Sequence, residues 1–221
     1  MRVLIVYHSF TGQAEKVARS VLKTLAARSV TASLCRLDFA EAAERLQAPV
    51  SFGVIKRWGD QAKRGTSVPF VMSAQPMAAG DFDAVVLLSN TWMFHPAVPI
   101  QSFLRDQRGR GLLTGKPVAI GIVCRGFWRK NLGITTSLVQ QAGGRVVTHE
   151  VFRHAGSWLR STITNINGMT KTTPLPSRLG PLLLPPFGVS PESMARVPTF
   201  VDCLLQAGPD NQMPKTGTRN S

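Results

Sequence analysis

Short apolar runs separated by amphipathic stretches set the pattern of this chain. Val3 to Val6 is an unbroken, β-branched-rich run ending at Tyr7, and Phe82 to Ser89, Pro117 to Cys124 and Arg145 to Phe152 follow it along the chain. The first three, short and continuous, predict strands buried on both faces, as in a parallel sheet, and Arg145 to Phe152 predicts a fifth strand. Val30 to Leu37 alternates instead, which predicts a second strand nearer an edge. Between strands, Ala14 to Arg28 carries Val17, Val21 and Leu25 at helical spacing, with Ala18, Leu22 and Ala26 beside them. Asn131 to Ala142 repeats that pattern before Gly143-Gly144, Ile100, Phe103 and Leu104 predict a helix starting near Pro99, and Glu41 to Leu46 predicts a helical turn. Strands alternating with helices predict an α/β fold, a doubly wound five-stranded parallel sheet with right-handed crossovers. In such sheets ligands bind beyond the carboxyl ends of the strands, where His8–Gln13, Asn90–Pro99 and Arg125–Lys130 fall.

Two stretches depart from the alternation. Pro49 to Asp81 mixes Gly, Pro, aromatic and cationic residues, and Phe52, Val54, Ile55 and Trp58 stand among Lys56 and Arg57. It reads as an insertion: a lid over a site, a partner contact or membrane-surface patch, or a short helix packed on the sheet. From Arg153 the pattern weakens, with Thr, Asn, Gly and Pro concentrated in Thr162 to Pro191. Ser190-Pro191-Glu192 predicts a helix start, Pro198 a break before Phe200, and Gly208 a stop. Residues 1–152 are thus one domain with an insertion at about 49–81. Residues 153–208 form an extension ending in a helix packed on that domain, and 209–221 a disordered tail.

Composition narrows the class. The 221 residues, 43% hydrophobic, suffice for one domain with a substantial core. No apolar run approaches the ~20 residues of a membrane span, and the run after Arg2 is too short for a secretory leader. Cys35, Cys124 and Cys203 are odd in number and widely spaced, and His8, His95, His149 and His154 make no ligand cluster. They predict reduced core thiols, no metal site and a cytoplasmic protein. The formal charge is +14, partly clustered at Lys56-Arg57, Lys63-Arg64, Arg105 to Arg110 and Arg125 to Lys130. Such a surface attracts anions, among them nucleotide cofactors and acidic lipid headgroups, or is simply a solvated basic face. No nucleic-acid-binding motif accompanies it, so no nucleic acid is expected as a partner.

Within the first loop, Ser9, Phe10, Thr11, Gly12 and Gln13 lie between a buried strand and a helix N-terminus. Backbone N–H groups and the positive end of the helix dipole converge there, which makes an anion site; the alternative is that Ser9 and Thr11 only cap the helix.

The residues Ile5-Val6-Tyr7-His8-Ser9-Phe10-Thr11-Gly12-Gln13 resemble the strand and phosphate loop of flavodoxin-like FMN-binding proteins, a group including flavodoxins and NAD(P)H-dependent quinone and FMN reductases. Ser9, Thr11 and Gly12 match the family's Ser/Thr-x-Thr-Gly-x-Thr segment, while Ala14 replaces its last hydroxyl, which Gln13 can offset through its amide. The resemblance covers about the first 150 residues and implies sheet order 2-1-3-4-5 with FMN as cofactor. It implies a second flavin loop at Asn90, Thr91, Trp92, Met93 and Phe94, and a third at Arg125, Gly126, Phe127 and Trp128. Trp92, Phe94 or Trp128 can then stack on the ring, Arg125 can stabilise a reduced flavin or hold a nicotinamide phosphate, and His95 is a catalytic candidate. The implied activity is an FMN-dependent oxidoreductase passing electrons from NAD(P)H to a small-molecule acceptor such as a quinone, often as a homo-oligomer. Alternatives are a flavodoxin-type electron carrier, which at this charge demands an acidic redox partner, and a flavin-less accessory or interaction protein. The opening Tyr7 to Gln13 also resembles that of dialkylresorcinol-condensing proteins, which implies an apolar, lipid-derived substrate.

Overall fold

The computed structural model describes residues 1–41, 44–45, 50–73, 79–170, 178–179, 182–183 and 185–208. The first half contains β1 (Arg2–Tyr7), α1 (Gln13–Ala27), β2 (Thr31–Phe39), α2 (Phe52–Arg64), β3 (Phe70–Met72), β4 (Ala84–Trp92), β5 (His95–Pro96), α3 (Val98–Arg105) and α4 (Gln107–Leu113). The second contains β6 (Pro117–Cys124), α5 (Trp128–Gln141), β7 (Arg145–Arg153), α6 (Trp158–Thr170), β8 (Arg178–Leu179), β9 (Leu182–Leu183), α7 (Pro191–Met194) and α8 (Val197–Gln206).

Five strands run parallel in the order β2-β1-β4-β6-β7, which is the expected 2-1-3-4-5 arrangement. The strand count differs from the expected five. Antiparallel β3 pairs with the outer edge of β2, and antiparallel β5 pairs with the end of β4, giving a seven-stranded sheet. The small β3 blunts an edge that would otherwise present unpaired backbone groups. Alternate residues of β1 feed opposite layers, Leu4 and Val6 into one apolar cluster and Val3, Ile5 and Tyr7 into the other. Ile100 and Phe103 of α3, Leu113 of α4 and Val139 of α5 fill the first cluster. Val17, Val21 and Leu25 of α1 and Phe200, Val201 and Leu204 of α8 fill the second. Arg28 at the end of α1 grips both carboxylate oxygens of Asp202 on α8.

One stretch takes a form open to it in the sequence, a short helix packed on the sheet, and two others fold differently from their sequence pattern. Within 49–81, α2 forms because Val54, Trp58 and Ala62 share one face, a period masked by Gly53, Gly59 and four cations. Ser51 caps it, accepting the Val54 N–H at 3.3 Å. Within the Thr- and Asn-rich region, α6 forms although its residues are weak helix formers; Ile166 and Met169 have apolar surface to cover. Asn90 to Trp92 extend β4 instead of forming a loop, because the chain reverses at Met93-Phe94 and pairs Thr91 with Pro96.

Smaller differences follow from caps. Pro198 sits in the first turn of α8 and breaks nothing; the helix change falls at Ala195-Arg196. Cys35 and Cys124 are buried, as expected, but Cys203 is exposed, on the outer side of α8. Burial pushes the Cys124 thiol up to about 12, so it stays protonated. Residues 42, 43 and 46 of the Glu41 to Leu46 turn and all of 209–221 lie outside the described residues. Among the described residues no helix is long and apolar enough to cross a membrane.

At Gly109 the backbones of α3 and α4 pack closely. A Cβ there would lie 1.8 Å from the Phe103 carbonyl oxygen, which is backbone and cannot swing away. Gly109→Ala is expected to destabilise the fold by about 3 kcal/mol, measured as a lowered urea midpoint.

Candidate functional site

The carboxyl ends of β1, β4 and β6 deliver three segments to one edge. After β1, His8 is buried, and its Nδ1 lies 2.9 Å from the Leu37 carbonyl. The carbonyl only accepts, so Nδ1 carries the proton and Nε2 keeps a lone pair, buried without a partner among the described residues. The loop reaches α1 through Gly12, whose φ of 78° is left-handed and suits glycine. A Cβ at Gly12 would meet nothing within 4 Å, so conformation rather than space requires glycine there. Ser9 Oγ turns inward and accepts the Glu15 N–H at 3.3 Å, while Gly12 at the N-cap supplies no side-chain cap. Gln13 Oε1 accepts the Val189 N–H at 3.0 Å, which ties its carboxamide to the extension.

The end of β4 is pinned from beneath by one residue that the apolar pattern of α5 conceals. Asn131 is fully buried; its Nδ2 donates to the Asn90 carbonyl at 3.1 Å and to Thr91 Oγ1 at 2.8 Å. Its Oδ1 accepts from Ser89 Oγ at 3.0 Å and Thr135 Oγ1 at 2.9 Å. The signal available in sequence is an Asn and a Thr four residues apart, which puts both on one face of α5. Beyond Thr91 the chain turns through Met93 (φ 45°) and Phe94 (φ 72°), and the β6 loop turns through Phe127 (φ 53°). Left-handed backbone is strained for such residues, by about 1–3 kcal/mol each. The Phe94 and Phe127 rings meet edge to face at 4.7 Å.

Helices α2 and α6 roof this edge and leave three adjoining hollows. The innermost, about 80 Å³, lies over Phe10, Thr11, Gln13, Ala14 and Asn90. Next to it, about 90 Å³ is bounded by Phe10, Ile55, Trp58, Trp92 and Met93. The outer hollow, about 330 Å³, opens among Phe52, Ile55, Phe94, Phe127, Thr162 and Ile166. Thr91, Arg125 and Met169 line all three, so these residues partition one continuous cleft. Among the described residues no carboxylate lies in salt-bridge reach of Arg125, and none lines the hollows. Burial lowers the Arg125 pKa from its ordinary value, although a guanidinium remains charged there. Burial, and then the nearby Arg125 charge, drives His154 down to about 4, so it is neutral at the cleft floor. Asn90 Oδ1 is a second buried acceptor without a partner among the described residues.

Of the residues singled out from sequence, Phe10, Thr11, Gln13, Asn90, Thr91, Trp92, Met93, Phe94, Arg125, Gly126 and Phe127 line the cleft. Gly12 lines none of the hollows but carries the turn into α1, and three more stand elsewhere. Ser9 lies beneath the loop as a cap, and Trp128 borders a separate, polar cavity of about 740 Å³ with Arg153 and Arg196. His95 is buried in β5, its Nδ1 2.6 Å from the Met93 carbonyl, and lines none of the hollows. Trp92 is half committed, since Trp58 stacks on it at 5.2 Å and His8 meets it edge on at 5.4 Å. Ile166 and Met169 of α6 were not singled out, because nothing in the local pattern places that helix over the cleft.

Asn131→Ala would leave the buried Ser89 hydroxyl without its acceptor and Thr135 Oγ1 with only Ser89 Oγ at 3.5 Å. It is expected to destabilise the protein by about 1–3 kcal/mol in urea unfolding, with faster hydrogen exchange at Asn90 and Thr91. A second expectation concerns pH. His154 is neutral when folded and has an ordinary pKa of 6.5 when unfolded, so the unfolded chain binds more protons between 6.5 and about 4. Stability is complete above that window and falls as pH drops through it; His8, also lowered by burial, acts in the same sense. Urea midpoints measured across this range should fall with pH, and His154→Asn should flatten the slope.

No protein-family model matches the sequence, and no curated protein does either. Solved structures do match in shape. One is a flavoprotein from Lactobacillus acidophilus NCFM in complex with FMN, with 16% identity, a TM-score of 0.55, and coverage of 68% of this chain and 92% of that one. Another is a short-chain flavodoxin associated with a non-canonical PDU bacterial microcompartment, with 14% identity, a TM-score of 0.50, and coverage of 94% and 98%. At such identities the likeness is one of fold. Sheet order, crossovers and these structural matches agree: the chain has the flavodoxin-like fold.

Proposed function

We propose that this protein is an FMN-dependent oxidoreductase that passes reducing equivalents from NAD(P)H to a small apolar acceptor such as a quinone. The observation that carries this reading is Arg125, a partly buried cation lining every part of the cleft with no carboxylate beside it among the described residues. A charge held there without a counter-ion favours an anionic or electron-rich ligand.

The residues present fit FMN. Thr11, the backbone beside Gly12 and the first turn of α1 suit a phosphate, with Ala14 offering only a buried methyl where the family resemblance leads one to look for a hydroxyl. The orphaned Asn90 Oδ1 can accept a ring N–H, and Trp92, Phe94 and Phe127 offer apolar faces for a flat ring system. FMN, when bound, supplies the hydride and electron chemistry. The chain binds, orients and shields it: Arg125 stabilises negative charge on the ring, and Met169, Ile55 and Ile166 exclude water. The outer hollow falls within the size range of small-molecule sites, and its walls suit a flat apolar acceptor.

Purified protein titrated with FMN should turn yellow and quench the free cofactor's fluorescence, and Arg125→Gln should weaken that binding about tenfold or more. NADH or NADPH should then bleach the flavin with no second protein present. Protein that ignores FMN overturns the proposal, whereas bound flavin that only an added reductase can bleach makes the chain an electron carrier.

A further inference from the structure

The mouth of the outer hollow has an unusual surface. Phe52, Met93 and Phe127 are 64%, 58% and 53% exposed, Phe94 is exposed beside them, and all four line the opening. Met93, Phe94 and Phe127 also have left-handed backbone, where Asn or Gly would be less strained and less apolar. The chain therefore carries backbone strain at the same positions where it displays large apolar side chains to water. The strain does not help the isolated fold, and the Phe94–Phe127 ring contact leaves both rings largely open to water.

Cations border these side chains. Arg129 and Lys130 follow Phe127 and Trp128 in the first turn of α5, and both are exposed. Lys56 stands one helical turn from Phe52 on α2, Arg160 is exposed two residues before Thr162 on α6, and Arg125 lies inside the mouth. Among the described residues no Asp or Glu lines the cleft. The whole chain carries a formal +14.

We infer that this rim docks on an anionic lipid bilayer, with Phe52, Met93, Phe94 and Phe127 entering the headgroup boundary and the flanking Lys and Arg residues meeting acidic headgroups. Apolar side chains projecting from a cationic border suit an interface that is apolar within and negative outside. An acidic protein would satisfy the cations but would not need protruding phenylalanines. Docking so oriented turns the outer hollow toward the bilayer, where an apolar acceptor dissolves. That consequence rests on the proposed function, whereas the docking itself does not.

The test is sedimentation of the full chain with vesicles of phosphatidylglycerol or of phosphatidylcholine, with FMN titration of the same sample as a separate readout. The chain should pellet with the anionic vesicles and stay in solution with the neutral ones. Phe94→Asn combined with Phe127→Asn should lower partitioning about tenfold or more while leaving the protein folded, because Asn tolerates left-handed backbone and this relief offsets the lost ring contact. Arg129→Gln combined with Lys130→Gln should lower it about 25-fold, since each charge near a membrane surface is worth roughly fivefold. Wild-type protein that stays in solution with anionic vesicles overturns the inference. So does a phenylalanine double variant that is folded and still pellets like wild type. Polyglutamate binding as tight as vesicle binding, and indifferent to the phenylalanines, overturns it in favour of an acidic protein partner.

Discussion

A parallel strand cannot be reached by a tight turn, and most of this molecule follows from that constraint. Each crossover must return the chain to the same starting edge, so β1, β4 and β6 release it at the opposite edge. The helices that make the returns bury both faces of the sheet, which is why the central strands are apolar throughout. Polar groups are thereby concentrated where the strands end. The cleft is that concentration, and Thr11, Asn90 and Arg125 reach it from three separate returns.

The edge is stabilised from below and strained from above. Asn131 uses both amide donors and accepts two hydroxyls, so the end of β4 rests on a satisfied polar cluster inside an apolar layer. Immediately beyond it, Met93 and Phe94 turn the chain in left-handed conformations. Gly59 on α2 makes room for the Met93 side chain, because a Cβ there would lie 2.3 Å from Met93 Cγ. Rigid support beneath a strained turn is how a fold holds side chains in exposed positions that the local sequence would not choose.

The two additions to the five-stranded plan converge on the same edge. Helix α2 supplies Trp58, stacked on Trp92 and against Phe39, and helix α6 supplies Met169, whose carbonyl accepts the Val50 N–H at 3.1 Å. That backbone bond joins the insertion to the extension across the cleft. The roof is therefore built by segments with no regular place in the alternating pattern, and it makes the cleft apolar above and cationic within.

The parallel sheet was legible because apolar runs are local signals with a fixed period, its strand order only through the resemblance of the first loop to a known family, and the first loop because hydroxyls and glycine stand directly between a strand and a helix. Ser9, Gln13 and His95 show the limit of that reading. Their residue types permit ligand chemistry, but their hydrogen bonds to Glu15, Val189 and the Met93 carbonyl engage them within the protein. Ile166 and Met169 show the opposite limit, since apolar residues in a weak helix former carry no mark of what they will cover. By itself the sequence determined the layers, the order of the sheet and the edge at which chemistry collects. Only the tertiary structure decided which polar groups remain open there, because a side chain's partners come from segments distant in sequence, and no local pattern records them.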